Sequence, residues 1–449
     1  MSGAREKKEL ISAYSGVIST RTPSTVIITG PPWPRSGTGR VIQSQIQYYR
    51  TRGFQTVFIA VPFRWNFFRD SSVWDEFRDG LNALGANHTF LAAIEPKEFR
   101  KAKYAATLRH GLRGTALDWL IAMAASAQLT PEQRRLVVTS NVKLIHVNHV
   151  FTLGFALRLK RQLSGKSSDV PMLLDTHDIQ SYVVQEKRET NPWTRRLDSA
   201  ERLLRSEIEH LRRPDVLVHL SIADFDFFKQ RISAGKHFLI LPTINEEFVR
   251  SVRESSDPAE PIDLLFVADW HAPNLAAIRW FFGEVWPQIA NRNYDLKIVG
   301  RIALGVESEL PTIYADFRKY FIGEVADLTS YYRATQCVIA PMVSGSGISI
   351  KTVEALGAGK AFVGTSKAFR GMPLDRLKEL GIQAHNHPNE FADAIVNALQ
   401  NREAAERVSR AAYDALFSTE ACFAQRDEAM QTALQKTEGA LAGSGPKQA

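Results

Sequence analysis

A lysine and a glutamate three residues apart, Lys351 and Glu354, sit in a short helix-forming run behind a glycine-rich turn, Ser344-Gly-Ser-Gly347. Side chains at this spacing rise from one helix face. Glycines let the turn close tightly, so its backbone N–H groups and the positive end of the helix dipole are aimed at whatever lies above the helix start. The chemistry this suits is anion binding, and the stretch Pro341 to Gly364 reads as a phosphate site. A lone Lys/Glu pair on a helix is more often a solvated ion pair worth about 0.2–0.5 kcal/mol. Here the glycines on both sides and the apolar strands before and after the helix favour a ligand. Other phosphate motifs fail: no G-K-[ST] follows Gly30 to Arg40, and no cluster spells G-x-G-x-x-G.

A second group of polar residues stands at strand ends in the first half of the chain. His146 and Asn148 close the run from Lys143, and His177 and Asp178 close the run from Met172, in Asp175-Thr-His-Asp178. Open α/β sheets bind ligands at the C-terminal ends of their strands, which makes these residues cleft candidates. The residues alone leave open that Asp178 is a helix N-cap and His177 a half-buried structural histidine. Nothing resembles H-E-x-x-H or a cysteine cluster, so no metal is expected. Asp224-Phe-Asp226 spells D-x-D, but in a segment that reads as a helix, where aspartates serve the N-terminal end.

The elements that must position these groups alternate. Ser24 to Thr29 is a strand, Gly30 to Gly39 a loop, Arg40 to Arg50 a helix, Gln55 to Val61 a strand, Val73 to Leu84 a helix and Thr89 to Ala93 a strand, which predicts a parallel sheet. Lys97 to Ala127 reads as one long helix, basic in its first half, and Pro192 to Arg213 as an amphipathic helix with Leu197, Leu204, Ile208 and Leu211 on one stripe. Glu246 to Pro261 has the composition of a linker. A second series follows: strands Asp263 to Ala268, Leu296 to Val299, Cys337 to Ala340 and Gly381 to Ala384, with helices between. Ala404 to Lys436 continues as helix, and Gly439 to Ala449 reads as a disordered tail. The expected architecture is α/β, with two doubly wound Rossmann-like domains: residues 1–245, a linker at 246–261, and residues 262–403, with helices 404–437 returning toward the first domain.

The chain has 449 residues, enough for two cores, and its 44% hydrophobic and 23% charged content is that of a globular protein. A net charge of +8 suits an anionic partner: a nucleotide, a lipid surface or nucleic acid. The arginines lie on amphipathic helices without aromatic platforms between them, which argues against RNA. Two distant cysteines, Cys337 and Cys422, indicate neither a disulfide framework nor zinc, and fit a reducing cytoplasm. No run is long and apolar enough for a membrane span, and none has the form of a signal peptide.

The residues of the second half resemble the retaining GT-B glycosyltransferases, the group that builds bacterial surface polysaccharides. The match lies in Leu264-Leu-Phe-Val-Ala268, Pro273-Asn274, Lys297-Ile-Val-Gly300 and above all Gly345-Ser-Gly-Ile348 with Lys351-Thr-Val-Glu-Ala-Leu-Gly-Ala-Gly-Lys360. In the first half, Gly37-Thr38-Gly39 is placed like that family's glycine loop and Asp175 to Asp178 like its strand-end histidine motif.

The resemblance implies a GT-B fold, a nucleotide-sugar donor, a glycan or lipid-linked acceptor, and neither cofactor nor metal. It implies donor contacts from Gly300, Arg301, Gly345, Ser346, Gly347, Ile348 and Glu354, with Glu354 on the donor ribose. Acceptor and phosphate contacts would come from Gly37, Thr38, Gly39 and Asn148, and catalytic roles fall to Lys351, Glu354, His177 and Asp178. The family's first glutamate is replaced by Ser346. Its arginine and lysine after the first strand of the domain are replaced by Asp269-Trp-His271, so Lys351 and Arg301 must supply the positive charge. Localisation at the inner face of the cytoplasmic membrane, with peripheral contact to anionic lipid, is expected from the basic helices around Arg100 and Arg195 together with the same resemblance. A catalytically inactive GT-B scaffold and a nucleotide-sugar epimerase are the alternatives.

Overall fold

The structure, a computed structural model, describes residues 23–62 except 35, 71–94, positions 97, 98, 100–102, 104, 105 and 108, and residues 114–163, 170–183, 199–254 except 234, and 260–442. Among them are two parallel sheets. The first runs in the order β3-β2-β1-β4-β5-β6-β7, with β1 Ser24–Gly30, β2 Gln55–Ala60, β3 His88–Leu91, β4 Asn141–Asn148, β5 Met172–Asp175, β6 Val216–His219 and β7 Lys236–Leu239. The second runs β10-β9-β8-β11-β12, with β8 Ile262–Val267, β9 Leu296–Val299, β10 Phe321–Gly323, β11 Thr335–Ala340 and β12 Ala361–Gly364. Parallel strands covered by helices on both faces must be apolar on both sides. β1 accordingly buries Val26, Ile27 and Ile28 completely, and β11 buries Cys337, Val338, Ile339 and Ala340.

In each sheet the strand order reverses beside the first strand of its domain, β1 next to β4 and β8 next to β11. These are the switch points at which doubly wound sheets open a crevice. The helices Gly37–Thr51, after β1, and Ile350–Gly357, after β11, start there and touch each other across the domain boundary.

Several expectations need correction. The first helix starts at Gly37, so the glycine loop is its opening turn, capped by Ser36. The helix expected over 97–127 is broken: positions 97, 98, 100–102, 104, 105 and 108 are helical, and a separate helix runs Ala116–Ser126, where Thr115 and Asp118 form a reciprocal capping box that sets its start. Lys103, Arg109 and Arg113 lie outside the described residues. The expected linker is a helix over Glu246–Arg253, because Val249 and Val252 bury and Phe248 packs edge-on to Tyr332 of the second domain. Of the amphipathic helix expected from Pro192, the described part is Ala200–Leu211, and its inner face is Leu203, Ser206, Glu207, His210 and Leu211. Arg195, Arg196 and Leu197 lie outside the described residues. Gly381 to Ala384 forms no strand of the sheet, only a single bridge from Ala384 to Gly364.

The last two helices divide between the domains. Arg402–Leu416 packs on β12 and the helix Ile350–Gly357, whereas Thr419–Ala442 crosses to the first sheet, where Cys422, Phe423, Ala429 and Ala433 join the core of Tyr48, Tyr49 and Leu173. That last helix runs on to Ala442, into the stretch expected as a tail. No helix among the described residues is long and apolar enough to cross a membrane.

Candidate functional site

A cleft of about 750 Å³ opens where the two switch points face each other. From the first domain it is lined by Ser36, Gly37, Arg40 and Val183; from the second by the end of β8, Asn274, the turn from Ser344 to Ser346, the start of the helix Ile350–Gly357, and Arg370.

The glycine loop reaches this position through close packing. Gly39 leaves no room for a side chain, since a Cβ would stand 2.1 Å from the Pro34 carbonyl oxygen. That contact turns the chain sharply enough for Gly37 to meet Ile350 of the second domain. One turn further on, Arg40 Nε lies 3.1 Å from Glu354 Oε1, an ion pair between domains. Burial pushes the Glu354 carboxyl above its ordinary range, and Arg40 and Lys351 oppose that rise. Beside it the Tyr332 hydroxyl is fully buried and held far from ionising, by burial first and by the Glu354 charge second.

Lys351 and Glu354 do both face the cleft, but they do not pair with each other. Lys351 Nζ donates to Asn274 Oδ1 at 2.7 Å and lies 5.1 Å from the centre of the Phe266 ring. Asn274 in turn donates to the Asp269 backbone carbonyl at 2.7 Å, which fixes the acceptor that Lys351 meets. Burial brings the Lys351 ammonium down to about 7; the nearby Arg370 adds to the fall, while Glu354 and Asp269 resist it.

The first domain supplies a polar network beneath the cleft. Gln45 Nε2 donates to Asn148 Oδ1 at 2.9 Å and to Asp175 Oδ2 at 2.8 Å, and Asn148 Nδ2 returns a bond to Gln45 Oε1 at 2.8 Å. The Asn148 oxygen also meets His177 Nε2 at 2.8 Å, so His177 carries its proton on Nε2 and is an acceptor at Nδ1. Burial brings His177 down to about 4, which makes it a neutral imidazole. It stacks on His149 with ring centres 4.0 Å apart, and His149 Nε2 is 2.9 Å from Thr38 Oγ1. Deeper, His146 bridges Asp175 Oδ1 at 2.8 Å and the Tyr49 hydroxyl at 2.9 Å. His146 is therefore structural: it lies inside β4, wholly buried.

Asp178 stands at the domain boundary. Gly347 has φ +63, and a Cβ there would fall 2.3 Å from Asp178 Oδ1. We expect Gly347→Ala to cost about 1–3 kcal/mol from the left-handed backbone alone. It should also open the cleft at this contact, which small-angle scattering would register as a larger radius of gyration.

Of the expected site residues, Gly37, Gly345, Ser346, Ile348, Lys351 and Glu354 line the cleft. Thr38, Gly39, Asn148, His177, Asp178 and Gly347 are outside its lining; of these Gly39, Asn148 and His177 are buried and the other three half-buried. Gly300 backs onto Ala268, outside the lining, and Arg301 is gripped by both oxygens of Asp269 at 2.8 and 2.6 Å. Arg40, Arg370 and His149 were not singled out by sequence, and Asn274 was not given a site role. Asn274 had a signal, in the Pro273-Asn274 pair; an arginine such as Arg40 or Arg370 has none until the fold brings it to the cleft. The D-x-D aspartates lie on the helix Ile222–Lys229, with Asp224 buried in its first turn.

Comparison with known proteins bears on this arrangement. Residues 261–401 match the family model described as "Glycosyl transferases group 1". An uncharacterized 44.6 kDa protein in the cps region of Klebsiella pneumoniae is 29% identical over 147 residues, 31% of this chain and 37% of that protein. The chain thus aligns with little more than a third of that curated relative. Among solved structures, Alr3699/HepE of Anabaena, crystallised with UDP, superimposes with a TM-score of 0.57 at 14% identity over 91% of this chain and all of the other. The α,α-trehalose 6-phosphate synthase of Burkholderia multivorans gives 0.58 at 13% identity over 96% of this chain and all of the other. TarM gives 0.58 at 8% identity over 92% and 100%. With two parallel-sheet domains facing across this cleft, the chain has the GT-B fold, and its residues 261–401 are similar to the group 1 glycosyl transferases.

Proposed function

We propose that this protein transfers a sugar from a nucleotide-sugar donor to a glycan or lipid-linked acceptor in the synthesis of a surface polysaccharide, with retention of configuration and without a metal ion. The observation that carries this reading is the charge of the cleft. Lys351 and Arg370, with the N-terminus of the helix Ile350–Gly357, face Arg40 of the opposite domain, and Glu354 lies among them. Support comes from the group 1 match, from Alr3699/HepE having been crystallised with UDP and with UDP-glucose, and from the cps-region relative.

Breaking the bond from the anomeric carbon to the diphosphate leaves a growing negative charge on the leaving oxygens. Preorganised cations and backbone dipoles stabilise that charge where water is excluded. In the proposed front-face reaction the acceptor oxygen bonds to the anomeric carbon as the phosphate oxygen departs, and the acceptor proton passes to that phosphate oxygen. No protein nucleophile is required. Glu354 is suited to accept hydrogen bonds from the donor ribose once Arg40 releases it, and the neutral His177 sits under the acceptor side. Placement at the inner face of the cytoplasmic membrane belongs to the same proposal and rests on the lipid-linked acceptor.

Ser346 favours a second reading. A carboxylate that the family places on the donor sugar is absent, as in a binding protein that no longer turns over. A thermal-shift panel of nucleoside diphosphates and nucleotide sugars, run with chelator, separates these readings when followed by an assay for nucleotide release. A ligand at a hundred times its dissociation constant should stabilise by about 2.7 kcal/mol. A shift with donor-dependent, acceptor-stimulated nucleotide release is expected; a shift without turnover selects the scaffold, and no shift removes the donor site.

A further inference from the structure

We propose that the cavity between the helices Gly37–Thr51 and Glu246–Arg253 is a second ligand site, and that it takes a sugar phosphate. It goes beyond the reading above and does not depend on it. The cavity measures about 920 Å³ and, among the described residues, shares no lining residue with the cleft at the switch points. Boundaries between domains are a common place for small-ligand sites of this size.

Two helix faces build its walls. Gln43, Ile46, Gln47 and Arg50 are spaced i, i+3, i+4, i+7 on the first-domain helix, so they share one face. Glu247, Arg250, Ser251 and Glu254 repeat that spacing along the helix that joins the domains and its last cap. Arg333 joins them from the second-domain helix Thr329–Ala334. Three guanidiniums and two carboxylates thus line one cavity, and among the described residues none of the five is in an ion pair.

Exposed arginines are commonly left to water, and singly they mean little. These come from both domains, and two of them are held in place. Arg50 Nη1 donates to the Gly85 carbonyl at 2.8 Å, and Arg333 Nε donates to the Ser251 carbonyl at 2.9 Å. A backbone carbonyl fixes a guanidinium without cancelling its charge, so its other N–H groups are preorganised for an anion.

The lining also defines the rest of the ligand. Arginine forks match phosphate oxygens in pairs, and three guanidiniums outnumber the two carboxylates. Glu247 and Glu254 only accept hydrogen bonds when ionised, so they suit hydroxyl groups and repel a second anion. The side chains of Gln43 and Gln47 have no hydrogen-bond partner among the described residues, and each offers both donors and an acceptor. One phosphate on a polyhydroxylated body meets both demands. Inorganic phosphate meets only the first, and a neutral sugar only the second.

The test is isothermal calorimetry of glucose 1-phosphate, glucose 6-phosphate, mannose 6-phosphate and N-acetylglucosamine 6-phosphate, with glucose and inorganic phosphate beside them at matched ionic strength. It is run on wild type, Arg50→Gln, Arg333→Gln and Lys351→Met. At least one sugar phosphate should bind, about tenfold or more tighter than glucose or phosphate alone. Arg50→Gln and Arg333→Gln should each weaken it about tenfold or more, the scale of one hydrogen bond to a charged group, while Lys351→Met leaves it within about threefold. Hydrogen exchange should slow on binding in residues 43–51 and 246–254. Binding of none of these sugar phosphates, equal binding of inorganic phosphate, protection confined to residues 344–354, or a loss in Lys351→Met with both arginine variants unaffected each overturns the proposal. Should an arginine variant fail to fold, Arg250→Gln serves, because that guanidinium makes no hydrogen bond among the described residues, and unchanged affinity there also overturns it. A protein that binds a sugar phosphate here and no nucleotide loses the donor reading and keeps this one.

Discussion

Lys351→Met is expected to abolish nucleotide-dependent stabilisation and to lower kcat/KM for transfer about a hundredfold or more, the loss usual when a preorganised charge stabiliser is removed. The ammonium has few competing partners, a neutral amide at 2.7 Å and an aromatic face, so its charge is available to a bound anion. Its lowered value of about 7 gives the prediction a pH signature. A diphosphate binds the charged form, so affinity should hold below pH 7 and fall up to about tenfold per unit as pH rises above it. The terminal phosphate titrates near 6 and does not disturb that window. Binding at pH 8 should take up a proton, which calorimetry in buffers of different ionisation enthalpy measures directly.

Stability runs the opposite way. Between pH 7 and the ordinary lysine value the unfolded chain binds a proton at this residue that the folded chain does not, so this contribution to stability rises with pH. Lys351→Met removes a buried charge and should melt no lower than wild type at pH 7. A variant that loses its nucleotide response while keeping its fold identifies a ligand-binding lysine; one that keeps the response excludes Lys351 from the site.

Asp175→Ala should destabilise the first domain by about 3–5 kcal/mol, the range for removing one partner of a buried ion pair. Asp175 is wholly buried at the end of β5 and accepts from His146 and Gln45, with Arg426 Nη2 3.5 Å away. Burial opposes its ionisation, but His146 and Arg426 together hold it well below the ordinary carboxylate range. Without Asp175, the buried Arg426 guanidinium loses its ion-pair partner among the described residues, and Nη1 already lacks a hydrogen bond there. The cost is therefore mainly that of a stranded arginine, and Asp175→Ala with Arg426→Met should recover much of it. Urea unfolding followed by tryptophan fluorescence reads both. Because Arg426 comes from the C-terminal helix, the single variant should also release residues 419–442 to proteolysis. Intact protection of that helix would show that its apolar contacts through Phe423, Ala429 and Ala433 suffice.

The parts of the site that sequence located are those built from local pattern. Gly345 to Gly347, Lys351 and Glu354 are separated by no more than nine positions, and a turn followed by one helix places them without help from the rest of the chain. The same is true of the strands, whose apolar, β-branched runs can only be buried as parallel sheet. Boundaries set by single side chains were harder to read. A Thr115–Asp118 capping box broke the long basic helix, and Val249 and Val252 turned a polar-looking linker into a helix, because two well-spaced apolar residues outweigh a charged composition once there is a surface to bury them against.

The sequence by itself determined the fold class, two doubly wound sheets, and the glycine turn with its following helix, because periodicity and glycine placement act over a few residues. Only the tertiary structure decided which charges the turn would meet. Arg40 pairs with Glu354 from the other domain, Asp269 takes Arg301 out of the cleft, Arg370 enters it, and Arg426 reaches Asp175 across 251 positions of chain. An arginine carries no pattern that names its partner. Its role depends on whether folding leaves a carboxylate within reach or an empty cavity, and that choice is made by packing between segments remote in sequence.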